Sequence, residues 1–172
     1  MVRSKRKLQL TTLIIVGEGL HDKAFLKHMK QLYDGRATGQ KIKIDSADGG
    51  SPGDIIKTTI RKNRHIAYDK QYILMDADIP LRQQDYDKAK IKKVEIILST
   101  PYCLEGMLLD ILKDDTSGGC KDCKNRLHPQ LSGSPIYPNS YSTLFTKSVL
   151  DKAYKKQIST LRSIMLNQNT IG

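Results

Sequence analysis

Three acidic residues lie directly after two strongly apolar segments of the chain. Glu18 follows the run Leu13–Val16 after a single glycine. Asp76 and Asp78 follow the run Tyr72–Met75. Short aliphatic runs of this kind are typical of buried strands in a parallel sheet, and ligands bind at the carboxyl ends of such strands. Because three neighbouring carboxylates need a counter-charge, and because Mg²⁺ takes carboxylate oxygens and water as ligands, the pattern indicates a metal site.

A fourth acidic residue, Glu105, is expected at the same edge of the sheet. It lies in the first turn of a predicted helix that follows Pro101 and a strand. Each of these acids also has a simpler interpretation. A glycine after a strand often only forms the turn, aspartates commonly cap helices, and a carboxylate in the first turn of a helix is favoured by the helix dipole.

Strands and helices are expected to alternate along the chain. Hydrophobic patterning predicts strands near residues 13–16, 41–45, 72–75 and 94–99, and helices near 21–33, 54–67, 81–90 and 104–112. Asp54 is the expected cap of the second helix. The glycine-rich loop before it, 47–53, could contact phosphate through its backbone amides, although most such loops are only connections. This alternation predicts an α/β fold with a mostly parallel sheet of about four strands flanked by helices.

The length of 172 residues suits one domain. Its core is expected over about residues 10–113, followed by a loop-rich segment over 114–140 and a C-terminal helix over about 141–166. No apolar run approaches the roughly 18 residues that a membrane helix needs. The basic start, 1–7, resembles that of a signal peptide, but polar residues interrupt the short apolar stretch behind it. A cytoplasmic protein that does not bind membranes is therefore expected.

The chain is strongly basic, with 29 Lys and Arg against 18 Asp and Glu and a net charge of +11. Such a charge is typical of nucleic-acid binders, although lysine-rich surfaces also serve only solubility. Here the acids concentrate at the expected metal site while the rest of the chain is basic, which favours a phosphodiester substrate in DNA or RNA. The residues expected to contact nucleic acid are Lys57, Arg61, Lys62, Arg64, Lys121 and Lys147.

The order of these motifs resembles the Toprim fold of topoisomerases, bacterial primases and a group of nucleases. Residues 17–22, Gly-Glu-Gly-Leu-His-Asp, stand where that family has E-G-x-x-D, and residues 76–78 stand where it has D-x-D. The resemblance covers roughly residues 10–113. It implies that Asp76 and Asp78 are metal ligands and that Glu18 is a ligand or a general acid/base.

Residues 99–109, Ser-Thr-Pro-Tyr-Cys-Leu-Glu-Gly-Met-Leu-Leu, resemble a signature of the small RloB-like Toprim proteins and the helix that carries a glutamate in OLD-type nucleases. The segment departs from the signature by one extra residue before Glu105 and by Gly106-Met107 in place of a pair that ends in Trp. The resemblance implies a Mg²⁺- or Mn²⁺-dependent nuclease, often associated with defence against phage, in which Glu105 binds a second ion.

A lysine downstream of that helix stabilises transition-state charge in OLD-type nucleases. Lys124 is the candidate here, although a solvated lysine is the simpler interpretation. Proteins of this group often work beside an ATPase, and this chain has no G-x-x-x-x-G-K-S/T segment of its own. An ATPase partner and a homodimer are both compatible with the sequence.

The three cysteines raise a separate possibility. Cys120 and Cys123 form a C-x-x-C pair, and with Cys103 and His128 they could provide a Cys₃His zinc site. One such pair is a weak pattern, and reduced, unbonded cysteines are the ordinary state in the cytosol.

Three functions remain open from the sequence. The first is metal-dependent hydrolysis of a phosphodiester in DNA or RNA. The second is a Toprim ribosomal-RNA maturase. The third is a non-catalytic subunit that binds nucleic acid or regulates a partner.

Overall fold

A computed structural model describes residues 10–35 and 37–168 of the chain. Four strands form one sheet: β1 (Thr11–Gly17), β2 (Gln40–Ser46), β3 (Lys70–Asp76) and β4 (Val94–Ser99). Every neighbouring pair is parallel, and the strands lie in the order β2-β1-β3-β4. This confirms the expected α/β class with a four-stranded parallel sheet. The basic N-terminal stretch 1–7 lies outside the described residues.

Helices cover both faces of the sheet. They are α1 (Leu20–Tyr33), α2 (Pro52–Ile66), α3 (Gln83–Ile91), α4 (Leu104–Ile111), α5 (Cys120–Leu127), α6 (Lys147–Lys152) and α7 (Lys156–Met165). In β3, Tyr72 and Leu74 belong to a core with α1, α4, α5 and α7, whereas Ile73 and Met75 pack with α2 and α3. Successive strand residues point to opposite faces, so one strand contributes to both cores. No helix within residues 10–35 and 37–168 is both long and apolar enough to span a bilayer.

The strand order creates a crevice between β1 and β3. The chain passes from β1 to β2 on one side and then returns to β3 on the other side of β1. The helices after β1 and β2 consequently lie on opposite faces of the sheet. Open α/β sheets bind ligands at such a point of reversal, outside the carboxyl ends of the strands. Glu18 directly follows one of these strands, and Asp76 ends the other.

Helix α2 begins earlier than the sequence pattern predicted. Its cap is Ser51, whose hydroxyl accepts a hydrogen bond from the amide of Asp54 at 3.3 Å. The Asp54 carboxylate accepts one from the amide of Ser51 in return, at 3.2 Å. Pro52, which has no amide hydrogen, occupies the first helical position. Asp54 therefore completes a capping box and is not itself the cap.

The C-terminal third is more structured than the prediction. The segment expected to be loop-rich, 114–140, contains α5. The expected C-terminal helix is present as α7, but its predicted bounds of 141–166 are too long, because an extended stretch separates α6 from α7. Ala153 and Lys155 have extended backbone there. Lys155 forms an ion pair with Asp110 and donates to the carbonyl of Thr100 at 3.0 Å. These contacts fix the interruption against the end of β4 and α4.

Candidate metal centre

The ends of β1 and β3 bring Glu18 and Asp76 together. Glu18 Oε2 accepts a hydrogen bond from the backbone amide of Asp76 at 2.8 Å. Gly17 makes the approach of α1 possible, because a Cβ at that position would lie 2.6 Å from Cβ of Asp22. The first turn of α1 therefore packs directly over the end of β1, at the same edge as Glu18.

Asp76 joins this edge to helix α4. Its Oδ1 accepts a hydrogen bond from the amide of Leu104, at the first position of the helix, at 3.1 Å. Cys103, the cap residue of α4, makes no side-chain cap of its own. Asp78 is exposed, and its carboxylate comes within 4.8 Å of potential ligand atoms of Asp76 and Cys120. A hydrogen bond thus fixes Asp76 in place, whereas Asp78 is accessible to solvent.

Glu105 lies in the first turn of α4 and is only 2% exposed. Its Oε1 is 2.9 Å from Nδ1 of His21 and 2.9 Å from Nε2 of His128. The two imidazole rings meet edge to face, with their centroids 4.8 Å apart. A buried carboxylate therefore has two imidazoles directed at one oxygen.

Asp22 contributes a further buried carboxylate to the same region. Its Oδ2 accepts a hydrogen bond from the amide of Gly19 at 3.0 Å, which completes the start of α1. Its Oδ1 is buried and has no hydrogen-bond partner. Buried polar atoms are nearly always paired in folded proteins, so an unpartnered carboxylate oxygen here requires an explanation.

The carboxylates beside β1 and β3 are held in an environment that disfavours their charge. Burial, followed by repulsion from Glu18, raises the pKa of Asp76 to about 7. Burial also raises the pKa of Glu18, and repulsion from Asp78 adds to it. The pKa of Asp22 is raised for the same reasons, burial first and Asp76 second. A cation bound among them would remove this repulsion.

Glu105 shows the opposite behaviour. Burial alone would raise its pKa, but hydrogen bonds from His128 and His21 outweigh burial and hold the pKa well below the ordinary value. Burial likewise opposes the charge of Lys124, yet attraction to Glu105 and other acidic groups keeps its pKa raised. Lys124 is thus a cation held beside the acidic groups.

These residues line one open cleft of about 450 Å³ at the carboxyl edge of the sheet. Its polar lining comprises Glu18, His21, Asp22, Asp48, Asp76, Glu105 and Lys124. Five of these residues lie at the ends of strands or in the first turns of helices: Glu18 and Asp76 at strand ends, and His21, Asp22 and Glu105 in first turns. The topology therefore assembles the cleft from segments that are distant in sequence.

Three combinations of side chains in this region are positioned to hold a metal ion. They are His21 with Glu105 and His128, Cys103 with Glu105 and Cys120, and Asp76 with Asp78 and Cys120. In each combination the potential ligand atoms all lie within 4.8 Å of one another. The structure thus supports metal binding at this edge, and it leaves the kind of metal open.

The predicted cysteine–histidine zinc set is not assembled. Cys103 and Cys120 share a group with Glu105, but no group within residues 10–35 and 37–168 joins Cys123 to them. Cys123 Sγ instead lies 3.4 Å from the carbonyl of Thr116, and His128 is directed at Glu105.

The basic residues predicted to contact nucleic acid lie outside the cleft. Lys57, Arg61 and Arg64 line a groove between α2 and α3. Lys62 forms an ion pair with Asp45 at 2.9 Å. These residues therefore form a separate basic surface on one face of the sheet.

The remaining two residues predicted to contact nucleic acid, Lys121 and Lys147, belong to helices in the C-terminal part of the chain, α5 and α6. Lys147 forms an ion pair with Asp151 at 2.8 Å. Lys121 is exposed on α5, three residues before Lys124. Of these two, only Lys121 belongs to an element that also borders the cleft.

Two cleft residues, His21 and Asp22, were not predicted as ligands from the sequence. Their signal was their position in the first turn of the helix after Glu18, because that turn must lie at the same sheet edge. The glycine-rich loop agrees with the simpler interpretation, that it is only a connection. The amide of Gly49 donates to the carbonyl of Glu18 at 2.8 Å, and that of Ser51 donates to Asp54, so neither is free to bind phosphate.

Comparison with known proteins adds no assignment. No protein-family model matches the chain, and neither the curated proteins nor the solved structures include a significant match.

Proposed function

We propose that this protein is a Toprim-like nuclease that hydrolyses phosphodiesters of DNA or RNA with the help of a divalent metal ion. The observation that carries the proposal is the convergence of Glu18 and Asp76, beside Asp78 and Lys124, at the switch point of a parallel sheet. Separate segments supply these groups, and a chain gains nothing in stability from bringing like charges together. The acids are therefore best explained as ligands of a bound cation.

Asp76, Asp78 and Glu18 are the residues that would hold Mg²⁺ or Mn²⁺. The fit is supported by the raised pKa values of Asp76 and Glu18, which reflect acidic groups without enough counter-charge. Oxygen donors of this kind suit both ions. A bound ion would polarise a phosphoryl oxygen and make water a better nucleophile at neutral pH.

The protein's own side chains would perform three tasks around the phosphate. Asp78, the exposed member of the set, would meet the incoming ligand first. Glu18, whose pKa is raised by burial, would be either a ligand or the group that accepts and returns a proton. Lys124 would offset negative charge that develops on the phosphate, because fixed cations stabilise such transition states. The exposed Lys121 on the same helix suits contact with the nucleic-acid backbone.

The resemblance to RloB-like and OLD-type proteins supports a role in defence against phage, with an ATPase as a partner, in the cytoplasm. A ribosomal-RNA maturase would use the same acids on a structured RNA. A non-catalytic subunit would use the basic surface of α2 without turnover. These alternatives differ in substrate and in turnover, so one set of assays separates them.

The test compares purified full-length variants on plasmid DNA and total RNA in Mg²⁺, in Mn²⁺ and in EDTA. We expect metal-dependent cutting that falls at least about 1,000-fold in Asp76→Asn, a loss of about 4 kcal/mol of transition-state stabilisation. Asp87→Asn removes the same charge from the exposed face of α3 and should cut like the wild type.

Each other outcome points away from the nuclease proposal. Cutting that survives in Asp76→Asn or in EDTA would contradict it. Binding without cutting in every buffer would favour the non-catalytic subunit. Cutting confined to precursor ribosomal RNA would favour the maturase.

A further inference from the structure

We propose that His21, Glu105 and His128 bind one divalent transition-metal ion of the zinc class, at a position separate from the aspartate pair. This site differs from the second ion that the sequence led us to expect at Glu105. That expectation involved carboxylates alone, whereas the structure surrounds Glu105 with imidazole nitrogens.

The geometry of the three donors is close to that of a metal site. Nδ1 of His21 and Nε2 of His128 each lie 2.9 Å from the same oxygen of Glu105. Zinc bonds of about 2.0–2.1 Å in a tetrahedral site separate two ligand atoms by about 3.3 Å. Each histidine nitrogen therefore needs to move by about 0.4 Å relative to Glu105, and the two nitrogens, which lie within 4.8 Å of each other, need a separation of about 3.3 Å.

The chemical class of the donors selects the ion. Two imidazoles and one carboxylate suit zinc and related ions, which keep an open position for water or substrate in such sites. Mg²⁺ prefers oxygen ligands only and is a poor match. The set therefore discriminates between metals, unlike the oxygen-only set of Asp76, Asp78 and Glu18.

The surroundings of the triad favour a cation. Glu105 is almost fully buried, and the side chains of His21 and His128 are 31% and 26% exposed, so the site is sheltered yet reachable. Asp22, the neighbour of His21, has a buried carboxylate oxygen without a partner. Both Asp22 and Glu105 line the cleft. An ion at the triad would reduce the repulsion that Asp22 experiences from Glu105.

A competing arrangement uses the thiols. Cys103 and Cys120 form their own group with Glu105. Cys103 is fully buried, whereas the side chains of His21 and His128 are partly exposed, so an ion from solvent reaches the imidazoles first. The imidazole side of Glu105 is therefore the better site, and thiolate coordination has a distinct spectroscopic signature that tests this choice.

The binding of this ion does not require nuclease activity; only its place beside the reaction cleft rests on the proposed function. The experiment titrates metal-stripped, full-length protein with Co²⁺ and records visible d–d absorption, with Zn²⁺ as competitor. In excess Mg²⁺, which occupies the set of Asp76, Asp78 and Glu18, we expect one Co²⁺ per chain, displaced by Zn²⁺. No sulfur-to-cobalt charge-transfer band should appear, and Cys120→Ser should leave the spectrum unchanged.

Three variants remove ligands, and one histidine serves as a control. Glu105→Gln, His128→Ala and His21→Ala should each weaken Co²⁺ binding at least about 100-fold, because each removes a direct ligand. His65→Ala, at an exposed position of α2, should bind like the wild type. Thermal unfolding identifies any variant that fails to fold, and His21→Ala, which changes the most exposed ligand, is decisive in that case.

The inference is overturned if no stoichiometric Co²⁺ binding occurs, if His21→Ala binds normally, or if a charge-transfer band disappears in Cys120→Ser. Asp76→Asn separates the two proposals. It should abolish cutting and retain the Co²⁺ spectrum. Cutting by a protein that never binds Co²⁺ at the triad would overturn this inference alone, and Co²⁺ binding without cutting would overturn only the nuclease proposal.

Discussion

Two groups of acids in this protein have pKa values shifted in opposite directions. One group, Glu18, Asp22 and Asp76, lies in the cleft, and the other lies near helices α2 and α3. Asp85 pairs with Arg82 at 3.2 Å, and this contact lowers the pKa of Asp85. Burial works against the charge of Asp45, but Lys62 outweighs it and lowers the pKa of that residue. In the cleft, burial and mutual repulsion raise the pKa of Asp76 to about 7.

The direction of the pKa shift distinguishes acids that stabilise the fold from acids that suit a bound ligand. A carboxylate whose pKa is lowered in the folded state favours folding, and one whose pKa is raised opposes it at neutral pH. Glu18, Asp22 and Asp76 therefore cost stability in the metal-free protein, whereas Glu105, which two histidines contact, does not. A positively charged ligand bound among them would offset this cost, which supports the proposed metal centre independently of any sequence resemblance.

The largest expected effect is a pair of stability changes with opposite signs. At pH 8 without metal, Asp76→Asn should raise the free energy of unfolding by about 2–4 kcal/mol, because it removes a charge that the fold disfavours. Asn keeps an oxygen that can accept from the amide of Leu104. Asp45→Asn should lower the free energy of unfolding by about 0.5 kcal/mol, since solvent screens its ion pair. Urea denaturation measures both.

Divalent metal should reverse the first of these changes. Mg²⁺ or Mn²⁺ at 100 times its dissociation constant stabilises a one-site protein by about 2.7 kcal/mol. The wild type should gain this stability, and Asp76→Asn should gain little. Equal gains of stability in the two proteins would show that Asp76 does not bind the metal. A lower stability of Asp76→Asn than of the wild type in EDTA would show that the charge of Asp76 does not oppose folding.

The advantage of Asp76→Asn should also depend on pH. The ordinary pKa of an aspartate is 3.8, and that of folded Asp76 is about 7, so the folded wild type binds more protons between these values. Its free energy of unfolding therefore falls as the pH rises from about 4 to about 7. Asp76→Asn lacks this titration. Its advantage, full at pH 8, should fall to roughly half by pH 5 and disappear below about pH 4.

Denaturation of both proteins at a series of pH values gives this difference directly. Groups outside the cleft titrate equally in the two proteins and cancel in the comparison, whereas Glu18 and Asp22 lose the repulsion from Asp76 in the variant. A difference that stays constant from pH 8 to pH 5 would show that the pKa of Asp76 is not raised.

The sequence alone predicted the parallel sheet and the acidic residues at the ends of β1 and β3. Apolar runs that end in acids predicted β1 and β3, and parallel pairing places their carboxyl ends together. Glu18 and Asp76 could therefore be found without coordinates. The same reasoning could not find the histidine pair at Glu105, because His128 reaches the site only after α5, and Gly118-Gly119 made that segment resemble a loop.

The C-terminal interruption was hidden for a similar reason. Helical periodicity continues through residues 147–165, so the pattern favoured one helix. The break depends on Lys155, whose side chain binds Asp110 and the carbonyl of Thr100, both far away in sequence. Local propensity does not report such long-range contacts.

The smallest expected difference in stability between paired variants concerns two glycines, Gly17 in the cleft region and Gly53 on α2. Gly17→Ala places a Cβ 2.6 Å from Cβ of Asp22 and 2.9 Å from the backbone nitrogen of Lys23, and this atom cannot move without shifting α1. The free energy of unfolding should fall by about 2 kcal/mol, within the range for overpacked sites. In Gly53→Ala, on α2, the new Cβ meets only side-chain atoms of Asp85 and Arg82, at 3.0 and 3.3 Å.

Those side chains can move, and alanine favours a helix over glycine, so Gly53→Ala should change stability by less than about 0.5 kcal/mol. Gly17→Ala should also weaken metal binding, since the start of α1 carries His21 and Asp22 into the cleft. Urea denaturation and Co²⁺ titration of the two variants measure these effects side by side. Equal loss of stability in both variants, or an unchanged Co²⁺ affinity in Gly17→Ala, would show that the packing of α1 against β1 does not position the metal ligands.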